Sequence, residues 1–152
     1  MATDVELAYA AGLFDGEGCV ACGFERGVQA RVKAVVSLTD PRPLLRMQKL
    51  FGGSLRFVPP TKKNHRTKCC WELGSGATTL FLSAVLPYLI IKRDQALLAI
   101  ELQTRIRATP KVSKGRAGVL PLTQEEWAAR AAYINQIKTL KRREFFAAPQ
   151  VG

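Results

Sequence analysis

The sequence predicts an α+β fold in which two antiparallel strand pairs form one sheet and each pair follows a helix. Three observations predict it: helix start and stop signals, short strands of alternating polarity, and a length of 152 residues, which suits one domain with a sizeable core. The predicted order is α-β-β-α-β-β-α followed by C-terminal helices, and residues 1–152 are expected to form a single domain.

The first helix and strand pair carry clear boundary signals. Thr3 and Glu6 have the spacing of a capping box, so the helix begins near residue 4 and ends in the acidic, glycine-rich stretch DGEG at 15–18. The strands CVACGFE and QARVKAVVSL follow and turn around Gly27. The second strand alternates apolar with polar residues, which predicts one core face and one basic face.

The rest of the chain repeats these helix and strand signals. Asp40 is the expected N-cap of a second helix, Pro41 takes its first position and Gly52 ends it. The strands SLRFV and TKCCWEL follow, and the chain then turns helical. Thr123 and Glu126 have the spacing of a second capping box, which predicts a helix near the C-terminus.

The charge balance indicates a polyanionic partner. Lys and Arg number 23 against 12 for Asp and Glu, a net charge of +11, so nucleic acid is favoured over a membrane surface. No uncharged apolar run approaches the roughly 18 residues of a membrane span, and the start MATDVE lacks the basic region of a secretory signal. We expect an intracellular, soluble protein without a membrane partner; bacterial cytoplasm, organelle and nucleus fit equally well.

The four cysteines form two pairs, Cys19-x-x-Cys22 and Cys69-Cys70, that invite comparison with a zinc site. Both pairs lie in predicted strands, where residues three apart or adjacent point to opposite faces instead of converging on a tetrahedral ion. The sequence therefore favours reduced structural thiols.

The stretch AAGLFDGEG, residues 10–18, resembles the LAGLIDADG motif of homing endonucleases. The first residue departs from the leucine of the family, whereas the glycines and acids fall in the family's places. A second segment, LPYLIIKRDQA at 86–96, resembles the family segment that carries an active-site lysine, here Lys92. With the element order, the resemblance covers roughly residues 4–107 and implies the LAGLIDADG homing-endonuclease fold, with an antiparallel DNA-binding sheet.

The small residues of the first helix form a candidate interface. Ala8, Ala11, Gly12 and Asp15 fall at helical spacing, and small residues let helix backbones approach closely. Spacing alone is equally compatible with a helix packed inside its own domain. The resemblance implies that this face pairs with the same helix of another subunit or repeat, and because the motif occurs once, it implies a homodimer.

The resemblance also assigns the acids and the lysine. It implies that Glu17, helped by the carbonyl of Gly16, binds catalytic Mg²⁺ or another divalent ion such as Mn²⁺, while Asp15 caps or bridges the paired helices. Hard oxygen ligands of this kind suit metal-dependent phosphodiester hydrolysis. Lys92 would stabilise charge at the scissile phosphate. Without the motif, Glu17 is a solvated turn residue and Lys92 an ordinary exposed lysine.

A third catalytic position is assigned to the end of the second strand. The family's polar, water-organising residue maps to about Asp40, with Arg42 as a possible nearby cation. The same Asp40 is also the expected N-cap of the second helix, so the sequence leaves both roles open.

The polar strand face is the candidate DNA-reading surface, since an antiparallel ribbon fits the major groove. Val32, Phe57 and Trp71 are expected on the opposite, core side. A merely solvated basic face is the alternative. The alternation assigns to the polar face Glu25, Gln29, Arg31, Lys33, Arg56, Lys68 and Glu72.

Together these features predict an intron-encoded, homodimeric homing endonuclease. It would make staggered double-strand cuts in a long, near-palindromic DNA target by metal-dependent hydrolysis. The alternative is a non-cleaving DNA-binding protein or an RNA-splicing maturase of the same fold.

Overall fold

A computed structural model describes residues 1–26, 29–109 and 121–143, and its elements follow the predicted order. The four strands form one antiparallel sheet in the order β1-β2-β4-β3. Gly27, the predicted turn of the first strand pair, lies outside the described residues. The bounds are α1 Asp4–Glu17, β1 Gly18–Glu25, β2 Gln29–Leu38, α2 Arg42–Phe51, β3 Ser54–Val58, β4 Lys68–Leu73, α3 Ser75–Val85, a 3-10 turn Leu86–Tyr88, α4 Arg93–Ala108 and α5 Gln124–Lys141.

Both ends of α1 follow from local chemistry. The predicted capping box is confirmed, because the Glu6 amide donates to the Thr3 hydroxyl at 3.3 Å and the Thr3 amide donates to the Glu6 carboxylate at 2.9 Å. At the other end, a Cβ atom on Gly18 would lie 2.6 Å from the Phe14 carbonyl oxygen. Only a residue without a side chain fits here, so Gly18, the last glycine of the motif, allows β1 to begin directly after α1.

The start of α2 differs from the prediction by one residue. Its N-cap is Pro41 and its first helical residue is Arg42, so the prediction of Asp40 as N-cap is wrong. The Asp40 carboxylate nevertheless accepts the Arg42 amide at 2.9 Å, because an aspartate side chain can reach the backbone two residues ahead. The helix ends at Gly52, as predicted, where φ is +73°.

One face of the sheet forms the core under the helices. Val36 pairs with Trp71, which pairs in turn with Leu55, and cross-strand partners share a face. Val32 and Trp71 are fully buried on this face, as predicted. Phe57 lies on this face too, as predicted, but it is 68% exposed, since it stands near the end of β3, an edge strand of the sheet.

The ring of Phe81 in α3 joins the motif helix to the rest of the core. It packs edge-to-face against Phe14 of α1 at 5.4 Å, Phe51 of α2 at 4.9 Å and Trp71 of β4 at 5.3 Å between ring centroids. The position of α1 on the sheet is therefore set by aromatic packing from three elements.

An ion-pair network joins α5 to α4. The Glu126 carboxylate accepts from Arg130 at 2.8 Å and from Arg105 at 2.9 Å. The Thr123 hydroxyl accepts the Glu126 amide at 3.2 Å, which is one of the two bonds of the predicted capping box. The Glu126 side chain binds the arginines instead of completing the box, because α4 brings Arg105 within reach.

Replacing Glu126 with alanine is expected to destabilise the protein by about 3–5 kcal/mol, because it leaves the buried Arg130 charge without its carboxylate. Urea unfolding measures this destabilisation. The neighbouring exposed Glu125 is the matched control, and its alanine variant should change stability by less than about 0.5 kcal/mol. Equal destabilisation by the two variants would contradict a structural role for the network.

Within residues 1–26, 29–109 and 121–143, none of the helices has the length and apolar character needed to cross a bilayer.

Candidate active site and nucleic-acid interface

Asp15 connects the motif helix to the start of α4. Its carboxylate accepts the backbone amides of Ile90 at 2.7 Å and Lys92 at 2.9 Å, more than seventy residues along the chain. Both carboxylate oxygens are therefore engaged within the same chain, and the residue is only 8% exposed. These bonds hold the turn before α4 against the C-terminal end of α1.

Lys92 lies against this same helix end. Its Nζ donates to the Asp15 carbonyl, one of the carbonyls left without an intrahelical partner at a helix C-terminus, and a cation there complements the helix dipole. Burial lowers the pKa of Lys92, and the opposing attraction of Asp15, Cys19 and Glu17 limits the shift. The structure thus brings Lys92 together with the end of the motif, and its role at a scissile phosphate stays a prediction.

Glu17 and Gly16 are exposed at the junction of α1 and β1. A carboxylate and a backbone carbonyl at a helix end are hard oxygen donors, the type that Mg²⁺ prefers, so these residues fit such an ion. The described residues contain no group of three or more His, Cys, Asp or Glu that could hold a metal. A metal ion at Glu17 and Gly16 would therefore need further ligands from outside these described residues.

The exposed face of α1 is rotated from the predicted one. Ala8 and Gly12 are exposed, but Ala11 is fully buried in the core of its own chain and Asp15 is held by the turn before α4. The assignment of Ala11 and Asp15 to an intermolecular face therefore does not match their burial. A Cβ atom at Gly12 or Gly16 would meet nothing within 4 Å. We call the exposed set the α1 stripe: Val5, Ala8, Tyr9, Gly12 and Gly16.

Asp40, in the turn before α2, forms an ion pair with Arg42, the first residue of that helix. The distance between Arg42 Nη2 and Asp40 Oδ2 is 2.5 Å, and the hydrogen bonds from Arg42 lower the pKa of the Asp40 carboxyl to about 2. The structure therefore brings together the acid and cation singled out in the sequence. A water-organising role for Asp40 stays a prediction.

The register places all the predicted DNA-reading residues on one face of the sheet. Glu25 pairs with Gln29 at one end of the β1–β2 ribbon, and Lys33 belongs to the same alternating set. On the other strands Glu72 and Arg56 share this face, opposite the buried Trp71. The full predicted set, which we call the polar sheet face, is Glu25, Gln29, Arg31, Lys33, Arg56, Lys68 and Glu72.

Acidic side chains on the polar sheet face form ion pairs with its basic side chains. Glu25 forms an ion pair with Arg31, and Glu72 accepts from Lys33 at 2.6 Å and lies 3.9 Å from Arg56. These side chains are partly exposed, so each pair contributes little to stability. The acids therefore fix the directions of the basic side chains on this face.

The cysteine pairs split between the two faces, as predicted. Cys19 pairs with Val35 on the polar side, whereas Cys22 pairs with the buried Val32. Burial raises the pKa of Cys22 and of Cys69, and all four cysteines are free thiols. Cys19 alone among the four is exposed.

No protein-family model and no curated protein matches the sequence. Solved structures do match. The homing endonuclease I-CvuI, in complex with its target, superimposes with a TM-score of 0.68 over 95% of this chain and 87% of its own, at 22% identity. The archaeal intron-encoded homing endonuclease I-Vdi141I, complexed with DNA, gives 0.67 over 96% of this chain and 89% of its own, at 15% identity.

A third match carries the name of the motif. The LAGLIDADG homing endonuclease I-SmaMI, bound to cleaved DNA, gives a TM-score of 0.54 at 20% identity. The match covers 83% of this chain and 48% of the I-SmaMI chain. This chain has the LAGLIDADG homing-endonuclease fold.

Two features of this homing-endonuclease fold were missed by sequence reasoning. Val5 and Tyr9 belong to the exposed α1 stripe, although the motif drew attention only to smaller residues. Lys141, at the end of α5, donates to Cys19 Sγ at 3.2 Å and so lies close to the motif. Its position in a cationic helix end was visible in the sequence, but nothing local indicated which strand it meets.

Proposed function

We propose that this protein is a site-specific DNA endonuclease that hydrolyses phosphodiester bonds with a divalent metal ion. The observation that carries the proposal is the junction of α1 and β1, where the exposed Glu17 carboxylate directly precedes β1 and the Lys92 ammonium is anchored to the Asp15 carbonyl. An acid and a cation at the start of a strand whose sheet has a polar face suit DNA hydrolysis.

Mg²⁺ or Mn²⁺ is the proposed cofactor, held by the Glu17 carboxylate and the Gly16 carbonyl. Such an ion would activate water and neutralise charge on the leaving oxygen. Lys92 then acts as a fixed cation near the reacting phosphate, because its bond to the Asp15 carbonyl orients the ammonium. Asp15 positions Lys92 through the backbone of the turn before α4.

Double-stranded DNA is the proposed partner, bound against the polar sheet face. The net charge of +11 supports an electrostatic contribution from backbone phosphates, and the exposed side chains of the face supply donors and acceptors for base edges. The matched endonucleases I-CvuI and I-Vdi141I are in complexes with DNA, which supports the same class of partner here.

A homodimer through the α1 stripe is the proposed assembly. One chain offers one exposed Glu17, whereas cutting both strands needs two acid clusters. The open surface over Gly12 and Gly16 supports close helix approach, and the match to about half of the I-SmaMI chain supports a paired unit. A twofold dimer presents the same face to each half-site, so the target is near-palindromic and the cuts are staggered.

The direct test is incubation with candidate target DNA with and without Mg²⁺. The candidate is the uninterrupted version of the DNA that flanks the gene. Double-strand cleavage that requires the metal supports the endonuclease. Tight, specific binding without cleavage in Mg²⁺ or Mn²⁺ would replace it with the non-cleaving binding protein, and promotion of intron splicing would replace it with the maturase.

Replacing Arg31 and Lys33 together with alanine should weaken DNA binding and flatten its salt dependence by about 0.9 in log-log slope for each phosphate that is no longer neutralised. Fluorescence anisotropy at several salt concentrations measures both. Lys49→Ala, which removes an exposed lysine from α2 instead of the polar sheet face, is the control and should leave the slope unchanged. If the double variant matched the control, DNA would bind elsewhere.

A further inference from the structure

Cys19 lines a cleft of about 310 Å³ between the start of β1, the start of α4 and the end of α5. This volume is at the lower end of the range for small-molecule sites. Cys19 is the only exposed cysteine of the four, whereas Cys69 and Cys70 are buried. The cleft therefore combines an accessible thiol with space for a small molecule.

The lining of this cleft carries charges of both signs. Lys92, Lys141 and Arg143 contribute cations, and Asp94 contributes one carboxylate. Lys141 is exposed and its Nζ donates to Cys19 Sγ at 3.2 Å, so an ammonium group stands directly beside the thiol. A small molecule with carboxylates and an ammonium group complements this pattern.

A buried acceptor in the same cleft supplies a second, independent observation. Gln95 lines the cleft, is 8% exposed, and has an Oε1 atom with no hydrogen-bond partner among the described residues. A buried acceptor without a donor is costly, so the cleft favours an occupant that brings an N–H group. An ionised phosphate or simple carboxylate has no such donor, whereas a peptide amide provides one.

We propose that Cys19 is a modification site, at which the cleft takes up the disulfide of a small acidic thiol peptide, such as glutathione disulfide, and forms a mixed disulfide with it. The two carboxylates of the glutathione unit match the cations of Lys141 and Arg143. Its ammonium group matches Asp94, and its amide N–H groups match the Gln95 oxygen. The modification goes beyond the proposed nuclease activity, because recognition of the disulfide does not involve DNA.

The reaction is a thiol–disulfide exchange that needs no oxidant besides the disulfide itself. The Cys19 sulfur bonds to one sulfur of glutathione disulfide while the S–S bond of that disulfide breaks. The leaving sulfur takes up the proton that the Cys19 thiol loses, so one molecule of free glutathione is released. Cys19 is oxidised and half of the disulfide is reduced. A dithiol such as dithiothreitol reverses the modification.

The attached glutathione unit blocks the proposed nuclease site. Cys19 follows Glu17 by two residues and shares the cleft with Lys92. A tripeptide with two carboxylates at this point excludes a DNA strand by its volume and repels the strand's phosphates by its charge. This consequence rests on the proposed function, whereas the modification itself does not.

The first test measures recognition of the disulfide by the cleft. The reduced protein is incubated with glutathione disulfide or with the neutral bis(2-hydroxyethyl) disulfide, and mass spectrometry follows the mixed disulfide at Cys19. The ratio of the two rate constants cancels any change in the intrinsic reactivity of the thiol. Lys141→Ala should lower this ratio several-fold, and Lys141→Arg should keep it, because arginine also binds carboxylates.

Lys138→Ala is the matched control for this test. Lys138 lies on the same helix, is exposed and does not line the cleft, so its removal should leave the ratio unchanged. Cys19→Ser should abolish the modification, which distinguishes Cys19 from the nearby Cys22. Equal ratios in Lys141→Ala and Lys138→Ala would overturn the proposal, as would modification of Cys19→Ser at the wild-type rate.

The second test measures cleavage of the candidate DNA by the modified protein. Fully modified wild type should cut several-fold more slowly than the reduced protein, and dithiothreitol should restore the rate. Cys19→Ser should cut and stay insensitive to glutathione disulfide. Unchanged cleavage by the modified protein would overturn the blocking of the site. If the reduced wild type neither binds nor cuts its candidate DNA, the proposed function fails, and the first test still decides the modification.

Discussion

Replacing Glu17 with glutamine is expected to abolish DNA cleavage while target affinity stays within about tenfold of wild type. Glutamine has nearly the same shape but lacks the negative charge that a hard divalent ion requires of its ligand. Because Glu17 is exposed, the substitution leaves the packing of the core unchanged. Single-turnover cleavage in Mg²⁺ and anisotropy in Ca²⁺ measure the two quantities separately.

The matched control for this prediction is Glu101→Gln, which makes the same chemical change at an exposed position of α4. It should leave cleavage unchanged. Full activity of purified Glu17→Gln would contradict the metal-ligand assignment. Loss of DNA binding together with cleavage would indicate instead that Glu17 shapes the interface.

Local signals were enough to predict the elements and the face of each strand. Three signals depend on residues within a few positions of one another: the Thr3 capping box, the glycines that end helices and the alternation of β2. Such local interactions can be predicted from the sequence. The polar sheet face follows from the same alternation, because side chains on a strand have a period of two. These parts of the structure match the predictions closely.

Contacts between segments that are distant in the sequence could not be predicted from such local signals. The helical spacing of α1 groups Ala11 with Gly12, but the direction of the core is set by Phe81, about seventy residues later. Asp15 is likewise turned inward by the amides of Ile90 and Lys92. The exposure of Phe57 follows from β3 being an edge strand, which is a property of the whole sheet.

Replacing Gly12 with leucine is expected to separate the homodimer and to remove double-strand cleavage with it. Nothing within the chain lies within 4 Å of a Cβ at Gly12, so the variant does not clash with its own fold, and leucine favours the helix more than glycine does. In a dimer joined through the α1 stripe, the added side chain meets the partner helix. Such overpacking costs about 1–3 kcal/mol for each copy, so the twofold dimer should weaken by at least about 30-fold.

Sedimentation velocity at micromolar concentration measures the association, and a supercoiled plasmid carrying the target separates nicking from linearisation. Gly12→Ala is the control, because a single methyl group still allows close helix approach; it should dimerise and cut both strands. The thermal midpoint of Gly12→Leu at low concentration should not fall below that of wild type, which distinguishes a failure of pairing from a failure of folding. A dimer that persists in Gly12→Leu, or a strictly monomeric wild type that still cuts both strands, would refute pairing through α1 and leave the two acid clusters to be supplied by another arrangement.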